Sequence, residues 1–359
     1  MIATASRDDI LDHFGNVRPL AMSAVRGLAT ARSELFDEAE RHGNLGWRAI
    51  GGETMKSGIE LTRGQLQSFA GHCFGGIGLE FEFDFQMRAD EVLPMGAPFT
   101  PPRDRDSAFR AAIKSRLISE TERLRRWAPE MEPQWGALLQ EAAAIGGLGL
   151  KLNNPSFPFQ ITHHGIRVAF RAPTLAAWID RPPRRLLEIG GGHGRFMRDV
   201  ALLLPETKFV LTDLPLNMLF SARYLTEYFG DAVNLCILPG DRFEPEARIN
   251  IVAPWRLDEI DVPVDTACNF LSFQHMDAVN LSYYGDFMRR VGVDRLFQIN
   301  RDIAREGHDL GIDAYPFASE FEAVRKDIAG TSTIKTIGSA EVIGQAQQII
   351  QLSKRRSNA

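Results

Sequence analysis

Residues 186–195 of this 359-residue chain read Leu-Leu-Glu-Ile-Gly-Gly-Gly-His-Gly-Arg. An apolar run, an acid and a glycine-dense turn predict a buried strand that passes abruptly into a helix. Glycine stands at 190, 191, 192 and 194, so the spacing is GxGxG. The dinucleotide fingerprint GxGxxG needs glycine at the position Arg195 occupies. Glycine lets the backbone turn sharply and lets a ligand approach where a Cβ would collide. The helix that follows points its free N–H groups at that ligand. The competing reading is a glycine-rich turn that serves architecture alone.

Around this turn the pattern alternates strand and helix. Strands are predicted at Leu186–Ile189, Lys208–Thr212, 249–253, 264–271 and 295–299. Between them lie a helix from Arg195 to Leu204 and one opened by Pro215, whose buried stripe is Met218, Ala222, Leu225 and Phe229. A short helix from Pro173 to Ile179 precedes the first strand, and Thr333–Ile337 and Gln347–Leu352 form a candidate closing pair. This alternation predicts an α/β, Rossmann-like, doubly wound and mostly parallel sheet.

The first 155 residues read instead as a mainly helical N-terminal domain, with Ala108–Trp127 its clearest helix and Pro94–Arg105 a loop or lid. Leu79, Phe81, Phe83 and Phe85 alternate there with Glu80, Glu82 and Asp84, the period-two signal of a half-buried strand. A proline-containing stretch, Asn153–Phe159, marks the expected boundary, so residues 156–359 form the ligand-binding domain.

The formal net charge of −5 gives no electrostatic reason to expect nucleic acid or an anionic membrane as partner. No run approaches the ~18 apolar residues of a membrane span, and residues 1–9 lack a signal-peptide core. Cys73, Cys236 and Cys268 are scattered and odd in number, which suggests neither a disulfide framework nor a zinc site and points to a cytoplasmic setting. His163 and His164 read as strand or loop polarity, because neighbours on a strand face opposite sides. No metal site is expected.

In an open α/β sheet, ligands bind outside the carboxyl ends of the strands, where strand order reverses. Past the first strand stand Glu188, Gly190, Gly191, Gly192 and Gly194. Past the second stands Asp213 with Leu214 after it; a carboxylate here can accept from both hydroxyls of a ribose, or cap the helix at Pro215. Past the next come Asp241 or Trp255, because 233–238 and 249–253 each fit the slot. The segment 249–253 is preferred, since it leads directly into the following strand, and it places Trp255 near a base. The strand 264–271 carries Asn269 and leads to Gln274, His275 and Asp277, then to a helix bearing Tyr283; Asn300 and Arg301 follow 295–299 on the same rim.

These segments resemble the sugar O-methyltransferase family of the class I, Rossmann-like S-adenosylmethionine (SAM)-dependent methyltransferases. The resemblance runs over residues 150–302 and rests on 187–195, on Leu-Thr-Asp-Leu-Pro at 211–215, on 264–277 and on Phe-Gln-Ile-Asn-Arg at 297–301. It implies a seven-stranded sheet with its last strand antiparallel, and SAM held by Glu188, Gly190, Gly192 and Asp213, with Gly191, Gly194, Leu214, Trp255 and Asn269 around them. The chain departs from the family in carrying His275 where glutamate is usual.

Methyl transfer from a sulfonium is an in-line displacement, so the protein's task is alignment. A hydroxyl acceptor also needs a base as the bond forms, and histidine, with an ordinary pKa of ~6.5, suits that at neutral pH. His275 is therefore the candidate base and Asp277 the second, the latter also a candidate helix cap. Gln274, Tyr283, Asn300 and Arg301 are the candidate acceptor-binding groups, and the acceptor is a sugar or other small metabolite. The N-terminal helices are left to shape the acceptor pocket, act as a lid or join two copies in a homodimer. Two other readings are an N-methyltransferase, in which Glu80, Glu82 and Asp84 hold an amine, and a non-catalytic SAM-binding subunit.

Overall fold

The computed structural model describes residues 2–16, 105–142, 150–151, 159–161, 163–303, 310–335 and 342–357. Its helices are α1 (Arg7–Asn16), α2 (Arg105–Trp127), α3 (Glu132–Leu138), α4 (His163–Val168), α5 (Arg171–Trp178), α6 (Arg195–Leu203), α7 (Pro215–Phe229) and α8 (Ala278–Arg290). Its strands are β1 (Gln140–Ala142), β2 (Leu150–Lys151), β3 (Phe159–Ile161), β4 (Arg185–Ile189), β5 (Lys208–Thr212), β6 (Val233–Cys236), β7 (Ile249–Val252), β8 (Thr266–Phe270), β9 (Arg295–Arg301), β10 (Phe321–Lys335) and β11 (Val342–Arg355). The strand expected at 79–85, all of the expected loop Pro94–Arg105 but its last residue, all of the boundary stretch Asn153–Phe159 but its last residue, and Cys73 lie outside the described residues.

Strands β4 to β11 form one sheet in the order β10-β11-β9-β8-β4-β5-β7-β6. The pairs from β9 across to β6 are all parallel, whereas β11 is antiparallel to both β9 and β10. Only β11 therefore runs against the rest. The chain starts at β4, builds outward through β5 and β7, then returns to lay β8 on the other side of β4. This reversal makes the doubly wound switch point at the carboxyl ends of β4 and β8. The sheet has eight strands, one more than expected, because both segments that competed for the third slot are strands. The segment 249–252 takes the place beside β5, and β6 adds itself to the outer edge of β7, where Asn234 Nδ2 donates to Asn250 Oδ1 at 2.8 Å. The closing hairpin is also longer than the expected pair, running over 321–335 and 342–355.

The sheet is buried on both faces, which explains its nearly continuous apolar strands. Successive residues alternate between two cores: Leu186, Phe209, Leu211, Cys268 and Phe297 face one, with α5, α6 and α7, and Leu187, Val210, Ala267 and Leu296 face the other, with α8. The first core continues without a break into Trp127, Trp135 and Ile10 of the N-terminal helices. Helix α1 opens on a reciprocal cap, in which Asp9 N–H donates to Ser6 Oγ at 3.1 Å and Ser6 N–H to Asp9 Oδ2 at 3.0 Å.

Buried charge ties α3 to the helix after the glycine turn. Arg195 and Arg198 both project from α6 onto Asp199, and all three are buried. Each arginine also donates to the carbonyl of Leu138 at the end of α3, at 2.6 and 2.5 Å. That carbonyl is one of the groups a helix end leaves unsatisfied. His163 and His164 open α4 rather than sitting on a strand or loop. The short helix before β4 begins at Arg171, two residues ahead of Pro173, whose missing N–H costs nothing in a first turn.

Candidate ligand site at the carboxyl edge

The turn after β4 has the shape its glycines allow. Gly190, Gly192 and Gly194 have φ of +73°, +59° and +90°, a region open to glycine and strained for other residues. Gly190 N–H donates to Thr212 O at 2.8 Å, and Gly194 N–H to Gly191 O at 3.0 Å. Gly194 then serves as N-cap of α6.

Asp213, at the end of β5, closes this turn. Its Oδ2 accepts from Gly192 N–H at 2.5 Å, and its Oδ1 from Leu214 N–H at 2.6 Å and Asn217 Nδ2 at 2.8 Å. The N-cap of α7 is Leu214 rather than Asp213; Asp213 instead braces the start of α7 from one residue further out and faces the turn. A carboxylate offers about four acceptor positions, so capacity is left for a ligand hydroxyl. Burial pushes the Asp213 carboxyl up, against the lowering effect of its hydrogen bonds from Gly192, Leu214 and Asn217.

Glu188, the acid ahead of the turn, is 2% exposed, and its Oε2 has no hydrogen-bond partner among the described residues. Burial pushes its carboxyl well above the ordinary range; Arg171 opposes the rise, and Asp213 and Asp199 add to it.

On the β8 side a chain of amides crosses the edge of the sheet. Asn269 Nδ2 donates to Ile189 O at 2.8 Å and to Ser272 Oγ at 2.5 Å, and Asn269 Oδ1 accepts from Phe273 N–H and Asn300 Nδ2. Asn300 Nδ2 also reaches Gln298 Oε1 at 3.1 Å. Asn269 and Asn300 are fully buried, so among the candidate ligand groups these two hold the edge of the sheet together. Gln274 is buried as well: its Oε1 accepts from Arg301 N–H at 3.1 Å, and its Nε2 lies 3.1 Å from His275 Nε2. With the oxygen so engaged, the Gln274 amide nitrogen is the donor, and in the neutral ring the His275 proton belongs on Nδ1.

His275 itself is exposed at the end of a short 3-10 turn. Asp277 is the N-cap of α8, its Oδ1 accepting from the backbone N–H and side-chain amide of Asn280, both at 2.8 Å. Tyr283 reaches the segment after β7, where its hydroxyl donates to Pro254 O at 2.8 Å. Burial and the nearby Asp258 push this phenol up to about 12. Trp255, next to Pro254, is half-buried and packs against the first core. Asp241 caps the other segment that competed for this slot, accepting from Ile237 and Leu238 N–H.

Three contributors carry little signal in the sequence. Leu271 has φ +63°, the one positive value outside glycine among the described residues, and it turns the chain so that Ser272 faces Gly190. Ser272 then occupies the space a Gly190 side chain would need. Asn217 reaches back one helical turn to Asp213. The spacing of Asp213 and Asn217 hints at the last, but no residue-type pattern announces the first two. Among the described residues, no group of histidine, cysteine or acid side chains is placed to hold a metal ion, and no helix is long and apolar enough to cross a membrane.

No protein-family model matches the sequence, and no curated protein matches it either. Among solved structures, the chain is similar to the mitomycin 7-O-methyltransferase MmcR, at 18% identity and a TM-score of 0.35, over 54% of this chain and 56% of that one. It is also similar to TehB from Haemophilus influenzae, at 10% identity and a TM-score of 0.35, over 52% of this chain and 61% of that one. The matched part thus spans less than two thirds of either protein.

Proposed function

We propose that this chain is a SAM-dependent methyltransferase that places a methyl group on a hydroxyl of a sugar or another small metabolite. The observation that carries the reading is the turn after β4, where three left-handed glycines close onto the Asp213 carboxylate at 2.5 Å, at the switch point of the sheet. A turn of this kind exposes backbone N–H groups and leaves room for a ligand to lie against the main chain. The residues present fit an adenosine carrying a cationic tail. Asp213 has acceptor capacity for ribose hydroxyls, and the acids Glu188 and Asp213 lie under the turn. A dinucleotide fits less well, since Arg195 occupies the third glycine position of its fingerprint and is buried against Asp199.

When bound, the cofactor supplies an electrophilic methyl on sulfur. Everything else falls to the chain's own side chains. Glu188, Gly190, Gly191, Gly192, Gly194, Asp213 and Leu214 would hold the cofactor, Trp255 would serve its base, and Asn269 stiffens the edge. His275 takes the hydroxyl proton at Nε2, the nitrogen whose lone pair Gln274 holds in the resting site. The acceptor hydroxyl would replace the Gln274 amide there, and Arg301 on the same rim would hold the acceptor. Asp277, committed to the cap of α8, has no place in this scheme.

Calorimetric titration with SAM, S-adenosylhomocysteine and NAD tests the reading. Micromolar binding of the two sulfur compounds, none of NAD, and a loss of about 2 kcal/mol in Asp213→Ala, the scale of a charged hydrogen bond, are expected. Failure of both sulfur compounds to bind overturns it. With an acceptor in hand, His275→Ala should keep cofactor affinity while turnover falls by roughly 10²–10⁴, the usual weight of a general base.

A further inference from the structure

Strands β9, β11 and β10 lie side by side at one end of the sheet. Their registers pair Gln298 with Gln351 and Gln351 with Lys326. Residues paired across neighbouring strands point to the same face, so these three side chains form one row. The adjoining row holds Leu296, Ser353 and Ala323. Together with Tyr315, Phe317 and Phe321, residues from both rows line a cavity of about 300 Å³. That volume stands at the small end of ligand pockets, which run from roughly 300 to 1,000 Å³.

Polarity changes along the first row. Gln298 is 3% exposed; its Oε1 accepts from Asn300 Nδ2 at 3.1 Å, and its Nε2 has no partner among the described residues. Gln351 Nε2 donates to Ser353 Oγ at 2.6 Å, while its buried Oε1 has no partner among them either. Buried polar groups are seldom left so, and one open donor beside one open acceptor matches the C=O and N–H of a cyclic amide. Lys326, at the other end of the row, is exposed, with its Nζ 4.0 Å from Asp313 Oδ2. Arg356 also lines the mouth, and among the described residues only its backbone N–H is engaged, on Glu320 O. Glu320 itself is tied to Arg289 and Arg355, so two cations face one carboxylate at the opening. A charge at the amide end would be desolvated without a counter-charge; an anionic group therefore belongs at the mouth. Neighbouring strands are about 4.8 Å apart, so the row spans roughly 10 Å between its outer Cα atoms, room for one ring substituted at both ends. Tyr315, Phe317 and Phe321 are buried and supply the wall, with ring centroids 5.7 Å apart for the first two and 6.4 Å for the last two.

We propose that this cavity is a small-molecule site, separate from the glycine turn, for a planar ring that carries a cyclic-amide edge and a carboxylate. The amide edge meets Gln298 and Gln351, the ring lies along the aromatic wall, and the carboxylate meets Lys326 and Arg356. Strands β8 and β9 stand between this place and β4, and the lining runs from Gln298 back toward Leu296, away from the carboxyl edge.

Calorimetric titration of the full chain with three probes tests the site. The lactam form of 6-hydroxynicotinate carries both ends, 2-pyridone only the amide edge, and benzoate only the carboxylate. Expected is saturable binding of 6-hydroxynicotinate, roughly 10-fold or more tighter than that of either single-ended probe. Gln298→Glu keeps the acceptor that holds Asn300 and removes the open donor, so it should weaken 6-hydroxynicotinate by about 10-fold or more. Lys326→Gln should weaken it by roughly 2–5-fold, the weight of an exposed ion pair, and leave 2-pyridone unchanged. Ala323→Phe, which fills the cavity from β10, should abolish binding of all three. Each variant's melting temperature is recorded alongside; if Gln298→Glu does not fold, Lys326→Gln and Ala323→Phe, both at exposed positions, decide the matter. Benzoate binding as tightly as 6-hydroxynicotinate would overturn the amide reading of the floor and the proposal with it. Wild-type protein that binds none of the probes, or binding that survives Ala323→Phe, would overturn the site itself.

Discussion

Replacing Gly190 by alanine tests whether the turn depends on the neighbour that fills its missing side chain. The added Cβ would lie 2.0 Å from Ser272 Oγ and 2.4 Å from Ser272 Cβ, where carbon atoms in contact keep roughly 3.5–4.0 Å. A new rotamer moves the hydroxyl but not the Ser272 Cβ, so the backbone must yield. That backbone is held by Leu271 N–H on Ile299 O at 2.8 Å and Phe273 N–H on Asn269 Oδ1 at 3.1 Å. Two penalties then combine. The φ of +73° costs a non-glycine residue about 1–2 kcal/mol, and forced overpacking about 1–3 kcal/mol more. The expected loss is roughly 2–5 kcal/mol, a large fraction of a typical domain's stability. The two parts separate in a double-mutant cycle with Ser272→Gly, which removes the obstacle and leaves only the dihedral cost. Urea denaturation of the four proteins should give a coupling of about 1–3 kcal/mol, with Gly190→Ala milder in the Ser272→Gly background. Additive losses, with no coupling, would refute the argument that Ser272 occupies the glycine's space.

Three further outcomes follow from the charges around the site. Glu188 keeps its proton to higher pH when folded than when unfolded, so the folded state binds more protons above the ordinary glutamate range. Stability should fall by about 1.4 kcal/mol per pH unit from this group as pH rises between the two midpoints. Chemical denaturation across pH should show Glu188→Gln removing that slope and stabilising the protein at the alkaline end; a Gln variant with the wild-type profile would contradict the assignment. Asp199→Asn leaves Arg195 and Arg198 buried without their shared anion, at a cost of about 3–5 kcal/mol. A thermal melt within error of wild type would rule out that burial. Asp277→Ala should cost about 1 kcal/mol as a lost helix cap without changing cofactor affinity in the same titration, and a selective loss of turnover instead would restore Asp277 as a catalytic candidate.

Alternating apolar strands and helices and the glycine spacing at 190–194 made the parallel sheet and the turn at its switch point legible in the sequence. These features are local: a left-handed turn demands glycine at the residue itself, and a strand buried on both faces is apolar along its own length. Strand order at the far edge was not legible in the same way. Residues 233–236 and 249–252 both have strand character, and only the pairing of β7 with β5 decides which lies inside. Asn269, carried by the strand 264–271, and Asn300, just past 295–299, read as ligand groups, yet their side chains hydrogen-bond to one another and to neighbouring protein groups at the sheet edge.

The amino-acid sequence alone determined where the main chain makes its left-handed glycine turn, because that depends on residue types a few positions apart. It also determined the two-faced burial of the strands, which periodicity records directly. Only the tertiary structure decided that Ser272 fills the space beside Gly190 and that Arg171 stands over Phe270. It alone decided, too, that Asp213 closes the turn it faces. Each of these joins residues 21 to 99 positions apart in the chain. Such contacts arise from strand register and helix direction across the whole sheet, and no local pattern of residue types encodes them.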